Sequence, residues 1–215
     1  MWSLISLVSG FLSLILVIPE ISTNKELYCI YAYVISLSLY FTYADIGFLS
    51  AGQKYAAEAF AKKDIEEEVL IFGFTIAVMI CMFIPMSVTF FFLYLTPSLA
   101  FDQLSKVGTH LAGELFFVLA FLMPVQIILQ RTVKIILAVR LLDYVITRID
   151  IIFNLIKLVS LFYFFNSESY MLVEYFYFCT LATIAGSLIG LVYIKYNINF
   201  KFVDLALSIR FSKKY

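Results

Sequence analysis

The sequence predicts an all-α, polytopic membrane protein of about six transmembrane helices. Three observations carry that expectation. The 215 residues are 63% hydrophobic and only 14% charged, with a mean hydropathy of +0.99, whereas soluble domains are about half apolar and about a quarter charged. Apolar segments of transmembrane length recur along the chain. Basic residues cluster in alternate connections between those segments. A chain this short has too little interior to hide so much apolar surface from water. Tyr and Phe are abundant, at 15 and 23, and Tyr at helix ends suits the headgroup zone.

The first segment runs about Trp2 to Ile21 and is read as a retained helix, since it lacks a basic leader and an A-x-A site. A polar turn, Ser22 to Glu26, leads to a second helix at about Leu27 to Leu49. A polar stretch, Gly52 to Glu68, precedes a third at Val69 to Leu95. A loop with Pro97, Asp102 and Lys106 leads to a fourth at Leu111 to Gln130. The semi-polar stretch Arg131 to Thr147 is expected to be helical and partly interfacial. The fifth helix is Ile149 to Phe165 and the sixth Tyr170 to Ile194, joined by a short turn at Asn166 to Ser169. Residues 1–194 thus form a six-helix lobe, and 195–215 a basic, mildly amphipathic tail. At 1.5 Å per residue these segments can cross a ~30 Å hydrocarbon core, some with tilt.

Net charge is zero, but the charges are segregated. Twelve of the fifteen Lys and Arg fall in three places: between segments two and three (Lys54, Lys62, Lys63), between four and five (Arg131, Lys134, Arg140, Arg148), and in the tail (Lys195, Lys201, Arg210, Lys213, Lys214). The opposite connections hold only Lys25 and Lys106, and Lys157 lies inside segment five. This positive-inside bias places both termini on the cytoplasmic side. No basic face points to nucleic acid. Cys29, Cys81 and Cys179 lie far apart with no metal-ligand spacing and read as small buried hydrophobes.

Residues 45–58 read Asp-Ile-Gly-Phe-Leu-Ser-Ala-Gly-Gln-Lys-Tyr-Ala-Ala-Glu. This resembles the end of helix two in Wzx-like polysaccharide and O-antigen flippases of the multidrug/oligosaccharidyl-lipid/polysaccharide exporter superfamily. Asp45, Gly47, Ala51, Lys54 and Asp64 occupy the pattern's positions, and Pro124 sits mid segment four as in the family's Leu-Pro segment. The layout agrees over nearly all of the chain, with motif specificity only over about 45–64. The resemblance implies one lobe of a two-lobed exporter in a bacterial inner membrane, moving an undecaprenyl-diphosphate-linked oligosaccharide for surface polysaccharide assembly. The family is a transporter rather than an enzyme, has no bound cofactor, and is coupled to H⁺ or Na⁺. One lobe cannot enclose the cavity that alternating access needs, so the gene is truncated, the chain is a fragment, or a second lobe or copy completes it.

No P-loop, G-x-G-x-x-G, H-E-x-x-H or G-x-S-x-G is present, so function must come from polar groups within the membrane. Lys157 stands nine residues after Arg148, ~13 Å into the helix. Asp150, Asn154, Lys157 and Ser160 share one face and would line a cavity or a helix seam. Lys157 either attracts a pyrophosphate or acidic sugar, or snorkels or pairs structurally. Ser36, Tyr40, Tyr43 and Gly47 form a softer stripe that could face a sugar, although Tyr in such helices usually packs. Asp45 reads first as a helix exit at the headgroups and second as a gating or ion-coupling group. His110 and Glu114 are four apart and could couple transport to protons, with exposed cap residues the plainer reading; Glu174 reads the same way. Glu66, Glu67 and Glu68 suit the positive end of a helix and can pair with Lys62 and Lys63. Pro85 and Pro124 can kink their helices. Ala182, Gly186 and Gly190 repeat every four residues, a face for close helix packing. The competing classes are a cation-coupled drug antiporter of the same superfamily, a membrane-embedded transferase, disfavoured by the single His and the lack of clustered polar residues, and an inactive membrane remnant.

Overall fold

A computed structural model describes residues 15, 17–19, 21–22, 24–44, 47–101, 104–165 and 171–198. Among these residues the chain is all-helical, without strands. Six helices are well bounded. They are α1 (Lys25–Tyr43), α2 (Phe48–Ala61), α3 (Ile65–Leu95), α4 (Lys106–Val139), α5 (Asp143–Phe164) and α6 (Leu172–Ile198). Most of the first predicted segment, and the tail from residue 199 onward, lie outside the described residues. Among the described residues, three helices are long and apolar enough to cross a membrane: α3, α4 and Leu172–Asn197 of α6. The other two long helices are more polar. α1 carries five Tyr besides Lys25 and Glu26, and α5 carries Asp143, Arg148, Asp150 and Lys157.

The helix starts follow from their caps. Asn24 accepts from the backbone N–H groups of Glu26 and Leu27 at 3.0 and 3.3 Å, so α1 begins at Lys25. Asp64 accepts from Glu67 N–H at 3.0 Å, and Ser105 from Gly108 N–H at 3.0 Å, fixing the starts of α3 and α4. Each cap satisfies amide groups that the helix itself leaves unpaired.

Several predicted boundaries move, each for a local reason. The second helix, expected through Leu49, stops at Tyr43, and α2 begins at Phe48 after Gly47, whose φ is 84°, a conformation glycine adopts without strain. The expected polar stretch 52–68 is mostly helix, because Ala-rich α2 presents Gly52, Ala56 and Ala59 inward. The stretch 131–147 is helical on both sides of a turn. Residues through Val139 continue α4, and α5 starts at Asp143. The last helix continues past Ile194 to Ile198, so the first tail residues belong to it.

The α2–α3 and α4–α5 turns are built alike. Lys63 (φ 61°) and Leu141 (φ 57°) take the left-handed conformation. Asp64 N–H then returns to Ala59 C=O at 3.0 Å, and Leu142 N–H to Leu137 C=O at 2.9 Å. This six-to-one closure satisfies carbonyls that end a helix. Within α4, Val118–Leu122 widens to a π turn, and Met123 N–H reaches Val118 C=O. Pro124 explains it: the ring has no N–H and would collide with the Ala120 carbonyl in a regular helix.

α6 packs along both α4 and α5, and α2 along α3. One buried cluster joins Phe41, Met79, Phe83, Leu115, Phe116 and Phe176; a second, near the α2–α3 and α4–α5 turns, joins Ala56, Phe72, Val133, Ile136 and Ile194. The second cluster sets the end of α2, the start of α3, the ends of α4 and α6, and the start of α5 close together. Lys62, Arg140, Arg148 and Lys195 therefore gather at one end of the bundle. The starts of α1 and α4 meet at the other end, where the Glu26 carboxylate accepts from Ser105 N–H and Oγ–H at 2.6 and 2.8 Å. The small face of α6 serves two neighbours. A Cβ at Gly186 would lie 3.0 Å from Phe153 of α5, and one at Gly190 would lie 2.6 Å from Val133 of α4.

Gly190→Leu is expected to force α4 and α6 apart and to destabilise the detergent-solubilised protein by about 1–3 kcal/mol. Leu188→Ala on the outward face should change stability by less than about 0.5 kcal/mol. Unfolding midpoints of the two variants check this.

Candidate functional site

The polar stripe predicted on α5 faces its neighbours. Asp150 accepts from Gln130 Nε2 of α4 at 3.3 Å. Lys157 donates from Nζ to Thr183 Oγ1 of α6 at 3.2 Å. The Thr183 hydroxyl in turn donates to its own helix, to Cys179 C=O at 2.9 Å. The hydroxyl thus spends its proton on the backbone and presents a lone pair to the ammonium, the arrangement a protonated amine requires. Ser160 donates to Lys157 C=O at 2.7 Å, and Asn154 is half-buried on the same face. Of the two dispositions read from the sequence, cavity wall or helix seam, these contacts describe a seam among α4, α5 and α6.

The seam is wetter in chemistry than α5 alone reveals. Thr180, Thr183 and Ser187 of α6 are buried and recur with helical spacing, each bonded to a carbonyl of its own helix. The sequence carried this signal in the same segment as the small-residue repeat.

Tyr40 and Tyr43 are not brought to this stripe. They are 64% and 75% exposed on α1, which rests chiefly on α4; Ser36 donates to Ala32 C=O of its own helix at 2.8 Å. Asp45 lies outside the described residues. His110 is exposed near the start of α4. Glu114, one turn on, is half-buried and accepts from Tyr177 O–H of α6 at 3.1 Å. The two border an open groove together with Tyr94, Lys106 and Thr109. Glu174 is exposed. Cys29 and Cys81 are exposed on outward apolar faces and Cys179 is half-buried, so the expectation of three buried thiols fails: their segments are apolar, but two of the thiols point out of the bundle.

Two arginine contacts went unread in the sequence. Arg131 of α4 donates from Nη2 to Phe41 C=O at 3.3 Å. That carbonyl belongs to the last turn of α1, where helix carbonyls lack intrahelical donors. A guanidinium therefore meets the negative end of α1 at the point where the helix stops short of Gly47. The second is Arg140, whose Nη1 lies 2.7 Å from Glu68 Oε1 with side chains 13% and 2% exposed. Its guanidinium also lies 5.2 Å from the Phe60 ring centroid, a cation–π distance. Glu68 is thus not part of a solvated acidic cap, as Glu66 and Glu67 are. Three consecutive residues on a helix span about 200°, so one of the run must turn inward; Glu68 lies one and two turns before the inner-face residues Phe72 and Thr75.

Among the described residues, no three His, Cys, Asp or Glu side chains come together to hold a metal ion. No family model, curated protein or solved structure matches the chain.

Glu68→Ala should strand the Arg140 guanidinium and cost about 3–5 kcal/mol, whereas replacing both partners by Met should cost much less than either single change. A double-mutant cycle of unfolding free energies in detergent micelles checks this.

Proposed function

We propose that this chain is one lobe of a polytopic inner-membrane flippase, which moves an undecaprenyl-diphosphate-linked oligosaccharide for surface polysaccharide assembly. It crosses the membrane six times with both termini cytoplasmic, and a second lobe or a second copy completes the path. The observation that carries the reading is the interruption between α1 and α2, where the Arg131 guanidinium meets the last turn of α1. Membrane transporters bind ions and anionic groups at interrupted helices, where backbone groups and helix dipoles are left available. Gly47, in the left-handed conformation just before α2 begins at Phe48, belongs to the stretch that resembles the flippases.

The other features support the same reading. Basic residues gather at one end of the bundle, where an inner-leaflet diphosphate would be met. Lys157 supplies a second cation deeper along α5, held to α6 by a hydroxyl rather than a carboxylate, so moving α5 against α6 breaks one hydrogen bond and no ion pair. In this reading Arg131 captures the diphosphate and Lys157 lies along its route, while coupling to H⁺ or Na⁺ falls to Glu114, His110 or Asp45.

The test uses vesicles reconstituted with the full chain and a diphosphate-linked oligosaccharide lipid, reading inward-to-outward transfer by an external lectin. The wild-type chain should speed transfer over protein-free vesicles. Lys157→Gln should slow it about tenfold, the loss of one charge-assisted contact, with Lys157→Arg retaining most of the rate. Transfer unchanged by Lys157→Gln would contradict the proposal, and transfer no faster than in protein-free vesicles would contradict completion of the path by a second copy.

A further inference from the structure

A groove runs between α2 and α3 on the outward side of the bundle. Its floor is the close approach of the two helices, where a Cβ on Gly52 would collide with the Thr75 hydroxyl. Phe48, Tyr55, Leu70 and Phe74 form apolar walls, while Glu58, Lys62 and Glu67 border it at one end only. That end lies beside the α2–α3 turn, among the gathered basic residues.

The groove has the polarity profile of one membrane leaflet. From Glu67 to Val78, both lining residues, α3 rises ~16 Å. Half of a ~30 Å hydrocarbon core is about the same length. The groove's volume is ≈ 420 Å³, and ≈ 980 Å³ with the surrounding open space included. Spread over that length, even the larger value gives a cross-section of roughly 60 Å², too little for a helix 10–12 Å across but enough for a hydrocarbon chain. The charged end carries both signs, one Lys and two Glu, so a purely anionic headgroup would meet more repulsion than attraction.

We propose that this groove holds an acyl chain of a cytoplasmic-leaflet phospholipid whose headgroup carries both a phosphate and a primary amine. Lys62 takes the phosphate, and Glu58 and Glu67 take the ammonium. The site rests on the bilayer reading of the preceding section but not on flippase activity, and the apolar walls take the chain as hydrocarbon without specific contacts.

The test replaces Trp2, the single tryptophan, by Phe and introduces Phe74→Trp in the groove or Phe92→Trp on the outward face of α3. Each protein is reconstituted in equimolar phosphatidylethanolamine and phosphatidylglycerol vesicles with bromine on the acyl chains of one lipid at a time. Phe74→Trp should be quenched about threefold more by the brominated ethanolamine lipid, the scale of an exposed ion pair, and Phe92→Trp equally by both. Adding Lys62→Gln and Glu67→Gln should abolish the preference. Equal quenching of Phe74→Trp by the two lipids, or a preference surviving the double change, would overturn the headgroup site. Quenching at Phe92→Trp with none at Phe74→Trp would show protein covering the groove and overturn the proposal. No quenching at either position would overturn the bilayer reading along with it.

Discussion

A charge inside a greasy helical bundle must reach a polar partner or leave the bundle, because an unpaired ion near the middle of a bilayer costs at least about 2.5–3.5 kcal/mol. That constraint organises this chain. Glu68 is buried and finds Arg140 across two helices. Arg131 reaches the Phe41 carbonyl, Asp150 meets Gln130, and Lys157 meets Thr183. Each contact joins a different pair of helices, so satisfying the charges also fixes which helices are neighbours. The remaining cations have no apolar matrix to cross once the turns of α2–α3 and α4–α5 lie side by side. The Glu68–Arg140 pair fastens those turns together, and the basic end of the molecule follows from it.

The backbone obeys the same rule. Every helix end must hand its open amides and carbonyls to something. Asn24, Asp64 and Ser105 serve the starts, while Lys63 and Leu141 accept a left-handed conformation so that the ends of α2 and α4 can close on themselves. Neither residue is glycine, and a side chain in that conformation costs about 1–2 kcal/mol. Packing beneath the turns, with Ile136 and Leu137 fully buried, offsets that cost. Pro124 is accommodated within its helix by the π turn that precedes it.

Hydropathy made the apolar segments legible: α3 and α6 correspond closely to predicted ones, and α4 extends its predicted segment at both ends. Periodicity made the Gly186 and Gly190 face legible, and the stripe of Asp150, Asn154 and Lys157. Composition left α2 unread: Gln53, Lys54 and Glu58 marked only a polar stretch, yet alanines at helical spacing supply an inward face. It misled over Glu68, because a run of carboxylates reads as a cap unless each residue is assigned a direction. The partners of the charges were hidden for a different reason. Gln130, Thr183 and the Phe41 carbonyl are distant in sequence and ordinary in type, and only tertiary packing pairs them with Asp150, Lys157 and Arg131. Tyr40 and Tyr43 share a helical face as expected, but that face turns outward, which one helix's periodicity cannot decide without its neighbours.

The central claim is that the helices cross a bilayer with the α2–α3 and α4–α5 turns on one side. Single cysteines at Lys62, Leu141 and Lys106, in a chain whose Cys29, Cys81 and Cys179 are replaced by Ala, can be exposed to a membrane-impermeant maleimide in right-side-out and inverted vesicles. The account requires that Lys62→Cys and Leu141→Cys react from the cytoplasmic side and Lys106→Cys from the other. Reaction of Lys62→Cys and Leu141→Cys from opposite sides, or of all three from one side, would contradict it.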